Sequence, residues 1–312
     1  MPNIKFEDRA VAFIDVLGFK GVVNAAGQGG SKHVELEKLI DLLESAVPNL
    51  DGTVDQTVPK DLIPRHIYIS DSIILSAPLT SSQRPNYRGL STLVMRVIQI
   101  SHTLLSKGYL LRGGISIGSV WHTTSNIVGP AYQEAYEIET KTEFPRIELS
   151  PNAKSYWMST EDNSNRICLE HMDKFIVNIL HDYYIPNNTK HGAIEEAYEK
   201  YERIAKDSLS SHLPESAKDK WRWFQQFLQS EKAKGLQWET PIASKEATPD
   251  IEENINGKKY LFTTEGNNFL YQGVATHIDG KGISNVIYGA IDNRESAISK
   301  TIELVFRIHQ KS

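Results

Sequence analysis

The chain has 312 residues, a net charge of −5 at neutral pH, ordinary apolar content and one cysteine, Cys168. That length fits one large domain or two small ones, and the charge supplies no global basic field to draw in nucleic acid. A lone cysteine excludes an internal disulfide and a CxxC zinc site, the opening MPNIKFEDRA lacks a signal-peptide core, and no apolar run approaches a membrane span, so the expectation is a cytoplasmic protein with no DNA and no membrane among its partners.

The stretch 10–20, AVAFIDVLGFK, predicts a strand that carries one carboxylate, Asp15, to its C-terminal tip, where Gly18 breaks it. Two readings fit: an Asp that opens a turn after a buried strand, or an acid delivered to metal and phosphate chemistry. A short helix is expected over 19–26. The Gly-rich stretch 27–30 reads as a linker, since no Lys-Ser or Lys-Thr pair follows as in a P-loop. Leu36, Leu39, Ile40, Leu43 and Val47 set a helix from Ser31 that Pro48 should stop, with 49–61 turn-rich. Residues 64–78 read as two strands meeting at Ser70-Asp71-Ser72, where an Asp is also ordinary turn chemistry. A long helix over 87–107 ends at Gly108. The strand over 109–123 holds Arg112 beside Gly113-Gly114, adjacent glycines that imply close approach by a ligand or by another backbone. Residues 126–139 open on Val128-Gly129-Pro130 and turn helical, with Ala131, Ala135 and Ile138 apolar.

This order is β-α-β-β-α-β, the split βαβ arrangement, and the expected fold class is α+β with a ferredoxin-like core. There the first strand pairs antiparallel with the third, which places Asp15 beside Asp71. Two carboxylates that close repel unless something positive lies between them, and their oxygens suit Mg²⁺ or Mn²⁺. Downstream, 175–180 reads as a strand. Ile194, Ala197, Tyr198, Tyr201, Ala205 and Leu209 mark one amphipathic helix, and Trp221, Phe224 and Leu228 a second. His171, His181 and Asp182 match no metal-site spacing, and the sequon at Asn187 has no meaning in a cytosolic chain. Residues 240–257 read as a polar linker, 260–291 as a small β-rich segment punctuated by glycines, and 294–309 as a closing helix.

Four motifs in order resemble class III nucleotidyl cyclases. Residues 13–19, FIDVLGF, look like their FxDxxGF segment. Residues 69–72, ISDS, look like their GD hairpin with Ser70 in place of Gly. Residues 111–118, LRGGISIG, look like their LRxGIxxG strand, and Gly129 to Ala135 with Glu139 follow their GxxVNxAxxxE helix. Departures narrow the resemblance. The purine-reading Lys position is Ile67, its partner acid is Asn126, the transition-state Asn is Gln133, and the transition-state Arg corresponds to Glu137. That set is similar to the bacterial antiphage pyrimidine cyclases of the Pycsar system, as are 144–150, FPRIELS, and 220–224, KWRWF.

The resemblance implies a catalytic domain over 8–180 and an accessory region over 181–312. It implies attack of the ribose 3′-oxygen of UTP, or CTP, on the α-phosphorus, giving a cyclic nucleotide read by a separate effector. Asp15, Asp71 and the Val16 carbonyl would hold two Mn²⁺ or Mg²⁺ ions, and Leu17, Gly18 and Phe19 would offer N–H groups to phosphate. Arg112, with Lys20 second, would replace the missing cation. Asn126, Tyr68, His66 and Tyr109 are the candidate base readers. It also implies a head-to-tail homodimer in which Gln133 serves the site of the other chain. A purine cyclase with a rebuilt pocket, or a silent module binding nucleotide or a protein, is the competing expectation.

Overall fold

The computed structural model describes residues 4–27, 30–54, 58–161, 166–186, 192–234, 251–255, 258–267, 270–277 and 302. The chain divides into two compact units, residues 1–237 and 238–312.

In the first unit, β1 (Glu7–Val16) lies between β3 (Ser72–Pro78) and β4 (Leu111–His122), antiparallel to both. β2 (Arg65–Ile69) forms a hairpin with β3. The order β2-β3-β1-β4 is that of the expected split βαβ core, so the mixed α+β, ferredoxin-like fold stands. β1 reads as a continuous apolar run because both of its faces are covered. Val11 and Phe13 face α4 (Pro130–Lys141) in a cluster with Ile74, Val120, Ala131 and Ala135. By alternation Ala10, Ala12 and Ile14, all fully buried, face the other side, where α3 (Gly89–Leu105) packs. The short β5 (Ile127–Val128) pairs with the end of β4.

Gly113 and Gly114 answer to backbone and helix. A Cβ on Gly113 would stand 2.5 Å from the Phe13 carbonyl oxygen, and one on Gly114 would collide with the Ala135 carbonyl and the Ile138 side chain. Close approach by another backbone is therefore the reason for the pair, and it lets α4 lie flat on β4.

α1 (Phe19–Ala26) forms as expected, and α2 (Ser31–Asp51) starts where expected but does not end at Pro48. An interior proline forfeits one helical bond and costs about 3 kcal/mol. Here tertiary partners hold the turn beyond it. The Val47 N–H donates to the Tyr68 hydroxyl at 3.2 Å, and Asp51 pairs with Arg96 of α3 at 3.0 Å. So 49–51 is helical rather than turn.

Past α4 the sheet grows by β6 (Ile147–Leu149), parallel to β4, then by β8 (Lys174–Val177) and β7 (Cys168–His171). α5 (Pro151–Thr160) follows β6, capped by the Ser150 hydroxyl. β8 ends at Val177, short of the 175–180 expected: the Asn178 N–H still reaches the Ile167 carbonyl at 2.8 Å, but its buried side chain turns the chain away, its amide donating to Glu231 and its Oδ1 accepting the Leu180 N–H. α6 (Ala193–Ser210) and α7 (Glu215–Ala233) supply the expected extra helices. Tyr198 of α6 donates to the Leu180 carbonyl at 3.2 Å, and Tyr201 meets buried His102 of α3 at 2.9 Å. Among the described residues no helix is long and apolar enough to cross a membrane.

The second unit holds an antiparallel sheet of β9 (Ile251–Ile255), β10 (Lys258–Asn267) and β11 (Leu270–His277), in the order β11-β10-β9. β9 lies inside the stretch expected to be a linker. Glu252, Glu253 and Asn254 hide it from a hydropathy reading, yet it pairs in register with β10. The expected sequon at Asn187, the β-rich reading past 277 and the closing helix, apart from helical Ile302, lie outside the described residues.

Candidate active site

Charge gathers at the tip of β1. Antiparallel pairing sets Asp15 opposite Ser72 on one side and Arg112 on the other. Asp71 immediately precedes Ser72, and its main-chain carbonyl accepts the Val16 N–H at 3.2 Å. Two carboxylates distant in sequence thus come from adjacent strand ends. The Ser72 hydroxyl donates to Asp15 Oδ1 at 3.3 Å, and Arg112 Nη2 stands 3.6 Å from Asp15 Oδ2. Burial first, then the charges of Asp71 and Glu139, push the Asp15 carboxyl up to about 7, against the opposing pull of Arg112 and Ser72. A single arginine does not neutralise this corner.

The hairpin that carries Asp71 turns through Ser70 at φ +58°, a left-handed backbone that favours glycine. Gly18, at φ +90°, caps α1 directly after β1, and a Cβ there would meet nothing within 4 Å. Its need for glycine is conformational, not steric. The Leu17 N–H already donates to the Leu110 carbonyl at 2.9 Å, so the donors left at this turn are those of Gly18, Phe19 and Lys20, at the unpaired start of a helix. Leu17 as an N–H donor to phosphate is thereby corrected: the sheet ladder takes that hydrogen.

Arg112 is shared. Its Nε lies 2.5 Å from Oε1 of Glu139, a carboxylate almost wholly buried on α4, in an ion pair too bent to count as a hydrogen bond. Its Nη1 donates to the Thr142 carbonyl at 3.3 Å. Glu139 had been only a motif letter in the sequence. The signal that could have singled it out is an acid on the same stripe as Ala131, Ala135 and Ile138.

Asp15, Val16, Leu17, Gly18, Phe19, Asp71 and Arg112 come together in one chain. Gln133 and Asn126 do not join them. Gln133 is exposed on α4, about 9 Å along the helix axis from Glu139 at 1.5 Å per residue. Asn126 sits in the turn between β4 and β5, where its N–H meets Thr123 Oγ1. That is the far end of β4, roughly 30 Å from Arg112 at 3.3 Å per residue. Glu137 points outward and pairs with Lys141 at 3.3 Å.

Ile67 packs on the Val11–Phe13 cluster, while His66 and Tyr68 alternate to the α2 side. There Tyr68 is used by Val47 and His66 lies 3.8 Å from Asp51. As base readers on the Ile67 face, His66 and Tyr68 are excluded by strand alternation. Tyr109 precedes β4, its N–H bonded to the Leu104 carbonyl. His171 lies edge-on to Trp223 and Phe227, and the His181 carbonyl meets buried His102. Among the described residues no group of three or more His, Cys, Asp or Glu is placed to hold a metal ion.

The corner does offer two carboxylates and the Val16 carbonyl, an all-oxygen donor set. Hard cations take such ligands and complete their shell with water or phosphate oxygens. The Asp15 carboxyl is raised by burial first and by the Asp71 charge second, and that second part is what a dication relieves.

No protein-family model matches this sequence, and no curated protein matches it. Solved structures do match. The catalytic core of a rhodopsin-guanylyl cyclase with converted specificity, in complex with ATPαS, is 15% identical over 50% of this chain and 84% of that one, with a TM-score of 0.37. The adenylyl cyclase CyaB from P. aeruginosa is 13% identical over 56% and 94%, with a TM-score of 0.37. A bacterial light-regulated adenylyl cyclase is 12% identical over 63% and 99%, with a TM-score of 0.35. Likeness this loose leaves the fold resting on the strand order and registers above.

Proposed function

We propose that the protein is a class III-type nucleotidyl cyclase that converts a pyrimidine nucleoside triphosphate, UTP ahead of CTP, to its 3′,5′-cyclic monophosphate and pyrophosphate. The observation that carries this reading is the strand register that sets Asp15 beside Asp71 at a glycine turn and a helix start. Residues 8–180 carry the chemistry, and 181–312 are accessory.

Asp15, Asp71 and the Val16 carbonyl would hold two Mg²⁺ or Mn²⁺ ions. Such ions, when bound, acidify the ribose 3′-hydroxyl and neutralise the triphosphate. The protein's own part is placement and charge. The N–H groups of Gly18 and Phe19 take phosphate oxygens, and the Leu17 turn brings them close. Arg112 meets the charge that grows on the α-phosphate as the 3′-oxygen attacks and pyrophosphate departs. Gln133 and Asn126, outside this chain's own corner, act in the site of a second copy, so a homodimer with shared sites is the working unit. Ile67, apolar and packed, gives a purine amine no partner. We place the reaction in the cytoplasm, as a second messenger in antiphage defence that a separate effector reads.

A second reading is a silent module that binds nucleotide or a protein. Exposed Glu137, of the wrong sign for phosphoryl transfer, favours it. The test is product formation from ATP, GTP, CTP and UTP with Mn²⁺ or Mg²⁺, beside an Asp71→Ala control. A cyclic pyrimidine nucleotide that vanishes in the control is the expected result. A cyclic purine product overturns the specificity, and no product from any of the four favours the silent module.

A further inference from the structure

Three elements meet around one guanidinium. Arg112 of β4 lies between Asp15 at the tip of β1 and Glu139 on α4. Its contacts are divided by edge. Nε and Nη1 face α4, meeting Glu139 at 2.5 Å and the Thr142 carbonyl at 3.3 Å, while Nη2 faces Asp15 at 3.6 Å. The two carboxylates differ in the same sense. The Glu139 side chain is 5% exposed and that of Asp15 16%, so the shorter contact is also the drier one. A buried carboxylate is costly unless an opposite charge stays with it. The Glu139 contact is therefore the anchor and the Asp15 contact the part that yields.

We infer that Glu139 is a positioning residue: it holds Arg112 by the Nε edge, so that the Nη2 edge is presented to Asp15 without settling on it. This deepens the cyclase reading and rests on Asp15 as a cation ligand. Without Glu139 the arginine, left with only the Thr142 carbonyl on the α4 side, would close on Asp15 and stand in the cation's place. Anchored, it leaves room for a cation at Asp15 and turns its free edge to an anionic oxygen. The same anchor ties the guanidinium to α4, the helix whose other end carries Gln133.

The experiment is Mn²⁺ binding to the full chain without nucleotide at pH 8, read from the free Mn²⁺ signal in electron paramagnetic resonance, with nucleotide KM and kcat measured alongside. Glu139→Gln should weaken Mn²⁺ binding about fivefold, the Boltzmann factor of one partly exposed ion pair, and should raise KM. Glu139→Asp keeps the charge but is one methylene short of Arg112, and should weaken binding to the same degree. The double variant R112M/E139Q removes competitor and anchor together and should bind Mn²⁺ at least as tightly as the parent. Parent-like binding in E139Q overturns the proposal. So does parent-like binding in E139D with loss in E139Q, which would make Glu139 a bulk charge. Weakened binding in the double variant, which buries no lone charge and so folds if either single variant does not, overturns it as well. If the unaltered chain binds no Mn²⁺, or Asp15→Asn binds it as tightly, the cation reading of Asp15 itself fails.

Discussion

Asp15, half-buried, and His102, fully buried, are titratable groups of the first unit with opposite surroundings. His102 of α3 is fully buried, with Nδ1 at 2.9 Å from the Tyr201 hydroxyl and Nε2 at 3.2 Å from the His181 carbonyl. Burial holds its imidazole down at about 4, so it stays neutral and satisfied at any physiological pH. Asp15 is crowded by Asp71 and Glu139 with one shared arginine, and its carboxyl is pushed up to about 7. One polar group closes a structural joint between α3 and α6. The other keeps unrelieved charge at a strand tip beside a glycine turn. Polar burial thus separates into scaffold and site by whether the group's needs are met locally.

The sharpest way to break the comparison is to remove each group. Asp15→Asn should lower cyclase turnover by at least about a thousandfold, the scale of losing a main electrostatic element of a phosphoryl-transfer site. The same change should raise the thermal midpoint by a few degrees at pH 8 in EDTA, because an ionised Asp15 is held against its neighbours. A matched loss of turnover and stability would make Asp15 part of the scaffold after all. For His102 the direction reverses. Unfolded, its imidazole takes a proton near pH 6.5; folded, only near pH 4. The unfolded chain binds more protons between those values, so stability is lost as pH falls from 6.5 to 4. That difference in proton affinity amounts to about 3 kcal/mol, at roughly 1.4 kcal/mol per tenfold. Urea midpoints from pH 7 to 4, compared between the parent and His102→Gln, should show that much less loss in the variant. An identical pH slope in both would put His102 outside the linkage.

A smaller effect tests what holds the two ends of α4 in place. A methyl at Gly114 meets the Ala135 carbonyl and the Ile138 side chain, both on α4. Gly114→Ala should cost about 1–3 kcal/mol as overpacking. It should also reduce turnover, since the helix that moves carries Glu139 at one end and Gln133 at the other. Unchanged turnover with lowered stability would separate α4 from the site.

Much of this was legible in the sequence because it follows from strand order. Once 10–20 and 64–78 read as strands of a split βαβ unit, antiparallel pairing brings Asp15 beside Asp71, while the register that sets Arg112 opposite Asp15 shows only in the fold. What stayed hidden depends on contacts between elements. Pro48 promised a helix end, and only the partners Tyr68 and Arg96 show why the helix runs on to Asp51. The Gly113-Gly114 pair could have served a ligand or a backbone until α4 was seen to lie on it. Glu139 had no role to read, because an acid on the apolar stripe of a helix acquires one only when an arginine reaches it from a strand beneath. Tyr68 and His66 looked like base readers because hydropathy does not reveal which strand face a mixed residue takes.

Ser70 gives the finest test of how strain and charge divide the corner. It occupies φ +58° immediately before Asp71, where an L-residue with a Cβ is disfavoured by about 1–2 kcal/mol and glycine is not. The β2–β3 pairing on either side, with Ile69 opposite Ser72, holds it there. Ser70→Gly removes the Cβ and also loosens the unfolded chain, which returns part of the gain. The expected net is a stabilisation of about 1 kcal/mol or less, read from the urea midpoint at unchanged m-value. Because Ser72 and Val16 fix the hairpin to Asp15 independently of residue 70, turnover should stay within about twofold, well inside the factor of ten that 1.4 kcal/mol represents. Destabilisation by Ser70→Gly would show that the serine side chain supports the turn. A large change in turnover at constant stability would show that strain at Ser70, and not charge alone, sets the position of Asp71.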